Sequence, residues 1–386
     1  MRRAQSTTFS NHSQTRPMSK ILINGSHPQY LVNFRGPLIR DLIARGHELH
    51  VSSPDLDGEW RDAVLELGAT PHSVPLRRTR ISILGDLNYH GFIYRLIRKV
   101  GADFVLNYTI KPNIWGSLAA SRAGARSASM VTGLGFAFIA GDGLARAATQ
   151  KIAQRLYRMA TDANSHVVFQ NPDDLADFIA AGSLRKPDKA VIVNGSGLDL
   201  DHYNVAPLPP APVFLSLARL LRSKGLEEYA EAAAQVRTTI PAARFLLAGM
   251  LDTGPDAVSR EQLDRWIASG IEYLGHLNDV RPAIAQASVF VLPSWREGTP
   301  RTVLEAMGMG RPIITTDAPG CRETTVDGVN GLLVPVRDAG ALADAMIRLA
   351  RDSSLRAAWG TESRRMAEEK YSVDKVNQSL IEGLGL

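Results

Sequence analysis

From Lys20 onward the chain alternates short apolar runs with longer stretches in which apolar residues recur every three or four positions. Apolar runs of four or five bracketed by Gly, Pro, Asn or Asp predict buried parallel strands, and the longer spacing predicts the helices that cross back over the sheet. In the first half, strands are expected at 20–23, 48–52, 70–74, 104–108, 127–131 and 166–169, with helices such as 31–45 and 113–123 between them. A second series is expected at 213–217, 244–248, 271–274, 289–292, 312–315 and 331–334, each followed by a helix. Between the two lies Pro207-Leu208-Pro209-Pro210-Ala211-Pro212, which reads as a stiff extended connector. The pattern predicts an α/β chain of two doubly wound Rossmann-like domains, 19–206 and 207–370, whose sheets present their carboxyl edges across a cleft. In the last segment, 371–386, Val376, Leu380 and Leu384 fall at helical spacing, so a helix at 373–384 either caps the second domain or crosses back to the first.

Composition supports this division. With 386 residues, 45% hydrophobic and 22% charged, the chain is long enough for two cores. The single cysteine, Cys321, excludes a disulfide scaffold and a multi-cysteine metal site, and fits a reducing, cytoplasmic setting. Residues 1–18 are polar, lack the apolar core of a secretory signal, and are expected to be a disordered tail; Met18 is an alternative start. The longest charge-free stretch, 127–141, is too short and too glycine-rich to span a bilayer. A formal charge of +5 suits nucleotide diphosphates, nucleic acid or an anionic membrane equally well. Aromatic residues do not interleave with basic ones, which argues against nucleic acid. No G-x-G-x-x-G follows the first strand, which removes the fingerprint of a nicotinamide enzyme.

The strongest constellation is Pro293-Ser294-Trp295-Arg296-Glu297-Gly298-Thr299-Pro300-Arg301-Thr302-Val303-Leu304-Glu305-Ala306-Met307. Thr299 is expected as N-cap and Pro300 as first residue of a helix that runs until Gly310 and Pro312 stop it. Its free amides would face the cleft and suit a diphosphate, while the Glu297 and Glu305 carboxylates suit hydroxyls.

This segment resembles the E-x7-E motif of the retaining glycosyltransferases of family 4, which adopt the GT-B fold. Ala218-Arg219-Leu220 followed by Lys224-Gly225 is similar to the family's basic pair. Gly310-Arg311-Pro312-Ile313-Ile314 and Val326-Asp327-Gly328-Val329-Asn330-Gly331-Leu332-Leu333-Val334 are similar to its downstream segments. The resemblance runs from Lys20 and is tightest from Val213 to Ala350. It implies a donor site in which Glu297 contacts the transferred sugar and Glu305 the ribose, and in which Arg219 and Lys224 hold the diphosphate. Glu297, Arg219 and Lys224 would be the catalytic group, with Gly298, Thr299 and Gly25 completing the donor site. Many family members place a histidine where this chain has Thr132-Gly133-Leu134-Gly135, a loop that resembles the bacterial branch building lipid-linked oligosaccharides.

On the acceptor side, Arg77, Arg78, Arg80 and Lys111 concentrate positive charge in the first domain, joined there by Gly133 and Gly135. They suit a polyprenyl-diphosphate acceptor and peripheral contact with an anionic membrane. No metal site is expected. Asp55-Leu56-Asp57 and Asp199-Leu200-Asp201 are chance matches to a D-x-D pattern, and no HExxH occurs. The expected activity is metal-independent, retaining transfer of a sugar, an N-acetylhexosamine above others, from a UDP-sugar to a lipid-linked saccharide. The alternatives are a GT-B nucleotide-sugar epimerase and a catalytically silent nucleotide-sugar-binding subunit.

Overall fold

The structure, a computed structural model, describes residues 18–77, 82–134, 144–254 and 256–386. The expected tail lies outside the described residues apart from Met18. The first half runs β1 (Lys20–Asn24), α1 (Pro28–Ala44), β2 (Glu48–Ser53), α2 (Gly58–Glu66), β3 (Thr70–Ser73), α3 (Ile83–Val100), β4 (Phe104–Tyr108), α4 (Ser117–Ala123), β5 (Arg126–Val131), α5 (Leu144–Ala163), β6 (His166–Phe169), α6 (Pro172–Ala180) and β7 (Ala190–Ile192). The second runs β8 (Val213–Leu217), α7 (Leu226–Thr239), β9 (Arg244–Ala248), α8 (Arg260–Ala268), β10 (Ile271–Tyr273), α9 (Arg281–Gln286), β11 (Val289–Leu292), α10 (Arg301–Gly308), β12 (Ile313–Thr316), β13 (Gly331–Val334), α11 (Ala339–Arg351), α12 (Ser353–Met366) and α13 (Val373–Leu384).

Two parallel sheets result, ordered β3-β2-β1-β4-β5-β6-β7 and β10-β9-β8-β11-β12-β13. In each, the strand order changes direction once, between β1 and β4 and between β8 and β11, and the loops leaving those pairs part there to form a crevice. Central strands such as β4, β8 and β11 are buried along their whole length, which is why they read as continuous apolar runs.

Most expected strands end within a residue of their observed limits, and each difference has a local cause. β12 begins at Ile313 rather than Pro312, because proline has no N–H for the ladder and contributes only its carbonyl, to Phe290 N. The short strand β7 is absent from the expectation, since three residues are too few for a periodic signal. The expected helix 113–123 opens instead as a π turn, Pro112–Gly116, in which Asn113 turns inward and donates to the Met130 carbonyl at 2.9 Å.

The packing shifts the limit between the two bodies and decides between the two courses open to the terminal helix. Leu198 and Tyr203 belong to the second domain's core, against Leu215, Phe290 and Met307, so that body begins ahead of the proline connector. The terminal helix crosses back. Leu380, Ile381, Leu384 and Leu386 complete the first domain's core with Ile21, Leu38, Leu42 and Val193, and Asn377 Nδ2 donates to Asp41 at 2.6 Å. Replacing Leu380 by Ala should therefore lower stability by about 2–5 kcal/mol. Amide exchange should show the loss of protection in β1 and α1 rather than in the second sheet.

Candidate functional site

The second sheet's crevice holds the two loops the sequence singles out. After β8 the chain passes Arg219, makes a single turn at Arg222–Lys224 and enters α7 at Leu226. After β11 it runs directly into Pro293-Ser294. The loops touch at Gly225, which has φ of 68° and where a Cβ would stand 2.0 Å from the Pro293 carbonyl oxygen, so only glycine fits. Trp295 N donates to the Ser223 carbonyl at 2.9 Å, locking the pair.

That contact brings Lys224 and Glu297 together. Lys224 Nζ and, at 2.7 Å, Ser294 Oγ both donate to Glu297 Oε1. The lysine and glutamate side chains are 19% and 13% exposed, so the pair is largely shielded from water without being sealed off. Glu297 N donates to the Pro319 carbonyl at 2.9 Å, which fixes the backbone beneath the carboxylate. Cys321 lies below; burial, then the Glu297 charge, push its thiol up to about 12, so it stays an unreactive packing group.

A clamp from the first domain holds the same loop. Asn171 caps α6 by accepting from Asp174 N at 2.7 Å, and its Nδ2 donates to the Gly298 carbonyl at 2.8 Å. Arg296, next to Glu297, reaches across to the fully buried Asp174 at 2.5 Å and to Asp177 at 2.7 Å. Arg322 bonds Asp173 at 2.5 Å beside it. A Cβ on Gly298 would fall 2.4 Å from the Thr132 carbonyl, so the two domains meet backbone to backbone at this point. Sequence reasoning passes over Asn171 and Asp174, and it carries Ser294 and Arg296 only as members of the Pro293–Met307 segment, without a role of their own. The cap-and-proline signal Asn171-Pro172-Asp173-Asp174 marks a helix start, but nothing local reveals that its acids serve another domain.

The expected helix start is corrected. α10 begins at Arg301 with Pro300 as its cap residue and no side-chain cap, because the proline ring offers no acceptor; Thr299 stands one position earlier and its hydroxyl donates to the Gln170 carbonyl at 3.2 Å. Glu305, in the second turn, is 7% exposed; its Oε1 accepts from Tyr203 Oη at 3.0 Å and Arg301 Nε at 3.2 Å. Burial raises its pKa, with Arg301 pulling the other way. Among the described contacts, Glu297 and Glu305 share no partner.

The remaining expected residues separate. Arg219 is half exposed and paired with Asp252 at 2.9 Å, on the same loop as Lys224 but not joined to Glu297. Gly25 follows β1, donates to the Ser52 carbonyl at 2.9 Å and packs on Leu31. Gly133, expected among the acceptor-side residues, faces Gly298 across the domain contact, with the Gly298 N 3.4 Å from where a Gly133 Cβ would be. Lys111 Nζ bonds Asp86 at 2.9 Å and the carbonyl of the exposed Arg77 at 2.8 Å, away from that contact. Arg78, Arg80 and Gly135 lie outside the described residues. At the first sheet's crevice, Thr109 holds φ of 80°, a strained value for a β-branched residue, and its hydroxyl donates to Ser26 Oγ at 2.7 Å. The D-x-D triplets serve local turns: Asp57 is the cap residue of α2, and Asp199 Oδ1 accepts from the amides of Asp201 and His202.

Two doubly wound domains with facing crevices define the GT-B fold. The comparisons agree. The family profile described as Glycosyl transferases group 1 matches residues 211–352. The N,N'-diacetylbacillosaminyl-diphospho-undecaprenol alpha-1,3-N-acetylgalactosaminyltransferase of Campylobacter jejuni is 26% identical over 341 residues, covering 84% of this chain and 88% of that protein. The UDP-Gal:alpha-D-GlcNAc-diphosphoundecaprenol alpha-1,3-galactosyltransferase of Escherichia coli is 26% identical over 294 residues, covering 73% and 75%. The crystal structure of Anabaena HepE in complex with UDP and glucose superimposes with a TM-score of 0.77 at 18% identity, covering 95% of this chain and 99% of that one. The chain therefore carries a group 1 glycosyl transferase domain and is a glycosyltransferase of GT-B fold.

The clamp makes a pH-dependent prediction. Burial is the largest influence on Asp174 and raises its pKa, whereas Arg296 lowers it. Arg296→Met should strand a buried carboxylate and cost about 3–5 kcal/mol near neutrality. A carboxyl whose folded pKa exceeds its unfolded value loses stability as pH rises through that window, so the variant should hold up best below about pH 4 and weaken above it. Urea denaturation against pH reads this. Adding Asp174→Asn should flatten the profile again.

Proposed function

We propose that the protein transfers a hexosamine or hexose, an N-acetylhexosamine above others, from a UDP-sugar to a polyprenyl-diphosphate-linked saccharide, with retention of anomeric configuration and without a metal. The observation that carries this reading is the Lys224–Glu297 pair at the β8/β11 crevice, facing the Thr132-Gly133 loop of the first domain. Both the Campylobacter and the Escherichia relatives, by their names, act on undecaprenol-diphosphate saccharides, and the latter takes UDP-galactose.

Departure of a nucleoside diphosphate builds negative charge on the phosphate oxygens. Lys224 stands beside the crevice to meet that charge, Arg219 shares its loop, and the first amides of α10 add their dipoles. These groups do for the leaving group what a divalent ion does elsewhere, which supports a metal-independent reaction. Ser294 and Lys224 leave Glu297 with its second oxygen for the hydroxyls of the transferred sugar. A double displacement needs a free carboxylate nucleophile on the far face of the transferred sugar, which a retaining glycosidase pairs with an acid about 5 Å away. The first-domain acids that approach the 296–298 loop in the described contacts are Asp174 and Asp177, and Arg296 holds both. Front-face attack, with the departing phosphate taking the acceptor's proton, is the reading this arrangement favours. Acceptors of this class place the enzyme at the inner face of a membrane as a peripheral protein; among the described residues, no helix is long and apolar enough to cross one.

A screen of UDP- and GDP-sugars for nucleotide release against polyprenyl-diphosphate saccharides tests the reading, with UDP released only when an acceptor is present. Glu297→Ala is expected to lower kcat by about 10²–10³-fold with an unchanged unfolding midpoint. Near-normal turnover would refute its place at the donor sugar. Lys224→Met should lower kcat to a comparable degree, and an effect confined to KM would contradict its role on the leaving group.

A further inference from the structure

α3 carries apolar surface that the first domain's core does not use. Its inner face, Tyr89, Ile93, Leu96 and Ile97, is buried against the sheet. Its first turns nevertheless display Ile83, Leu84 and Leu87 at 76%, 81% and 50% exposure, and Ile110 adds a fourth exposed side chain at 43%. This is ordered helix: Ser82 Oγ caps it by accepting from Gly85 N at 3.2 Å, and Lys111 ties the Ile110 loop to Asp86 at 2.9 Å. At 100° per residue, Leu84, Leu87, Arg95 and Arg98 fall on one stripe, with Lys99 beside it, and all five are exposed. The stripe thus passes from an apolar tip to three cations about 16 Å further along. The helix's one acid, Asp86, is already engaged by Lys111.

We propose that this stripe is a membrane-docking surface, with Ile83, Leu84, Leu87 and Ile110 inserting at the headgroup boundary of an anionic bilayer and Arg95, Arg98 and Lys99 resting on its lipid phosphates. The proposal rests on the reading of a lipid-linked acceptor and adds where the lipid surface sits. Charge chooses the occupant: a row of exposed cations without a free acid suits an anionic sheet of phosphates, whereas a self-associating copy would face the same cations. Position gives it consequence. Lys111 and Ile110 follow Tyr108 and Thr109 at the β1/β4 crevice, so a bilayer against this stripe would hold an acceptor's diphosphate at the rim of the first domain's cleft.

The protein supplies its own probe site, because its single cysteine, Cys321, is fully buried. Leu84→Cys in the full chain, labelled with an environment-sensitive dye, should shift to a blue, brominated-lipid-quenched emission on vesicles containing phosphatidylglycerol. Vesicles of phosphatidylcholine alone should give little change. The combined variant Ile83→Ser, Leu84→Ser, Leu87→Ser should bind the anionic vesicles about tenfold or more weakly, and high salt should weaken the parent chain. Its nucleotide release with a water-soluble, short-chain acceptor should remain at the parent level, while release with acceptor embedded in vesicles falls. A dye that does not respond to anionic vesicles, or equal vesicle affinity in the triple variant, overturns the proposal; so does a dye shift that depends on protein concentration without lipid, which indicates a second copy. Loss of all transfer in the parent chain, with vesicle binding intact, would instead count against the functional reading.

Discussion

The close meeting of the β8 and β11 loops is the constraint on which the site depends. Neighbouring strands in a parallel sheet normally send their connections to one side, and the loops crowd. Where the order reverses they part, and whatever those loops carry faces an open crevice. At this crevice Gly225 lies so near the Pro293 carbonyl that no side chain is tolerated, and the approach sets Lys224 beside Glu297. A lysine and a glutamate 73 positions apart become one polar unit because the strands that lead into their loops, β8 and β11, are neighbours in space.

The second consequence is that the Glu297 loop is not held by the second domain alone. Arg296 and Gly298 flank Glu297, and both are held by the first domain through Asp174 and Asn171. The terminal helix closes the loop of dependence by leaving the second domain to complete the core around Ile21 and Leu42. Opening the cleft must therefore break a buried ion pair and a backbone contact right beside the carboxylate. Such an arrangement links the posture of the Glu297 loop to the relative placement of the two domains, which is what a reaction that must exclude water from its donor requires.

The buried polar chain beneath the first crevice supplies rigidity rather than chemistry. Asn24 accepts from Ser52 and Tyr89 and donates to Asn107 at 2.9 Å, and Asn107 donates to Ser117. Every link is satisfied within a low-dielectric core, so the ends of β1 and β4 are fixed with respect to each other. Thr109 keeps its strained backbone on that support.

Strand positions, the two-domain division and the candidate site residues were legible in the sequence, because burial on both faces writes itself as apolar runs and because E-x7-E, Arg219 and Lys224 lie within short windows. The terminal helix was legible as an element but not as a member of the first core, since an apolar stripe does not say which core it fills. Thr299 looked like a cap because caps are local, yet the helix starts one residue later, with Pro300 at the cap, and the Thr299 hydroxyl donates to a carbonyl 129 positions earlier. Gly133 was singled out by the resemblance of its loop, which carries no sign that its neighbour in space is Gly298. Sequence by itself thus determined which elements form and which residues stand as candidates for the site, both of them consequences of short-range pattern. Only the tertiary structure decided which of those residues share a partner, because pairs such as Arg296 with Asp174 exist through sheet order and domain contact, and no local preference encodes either.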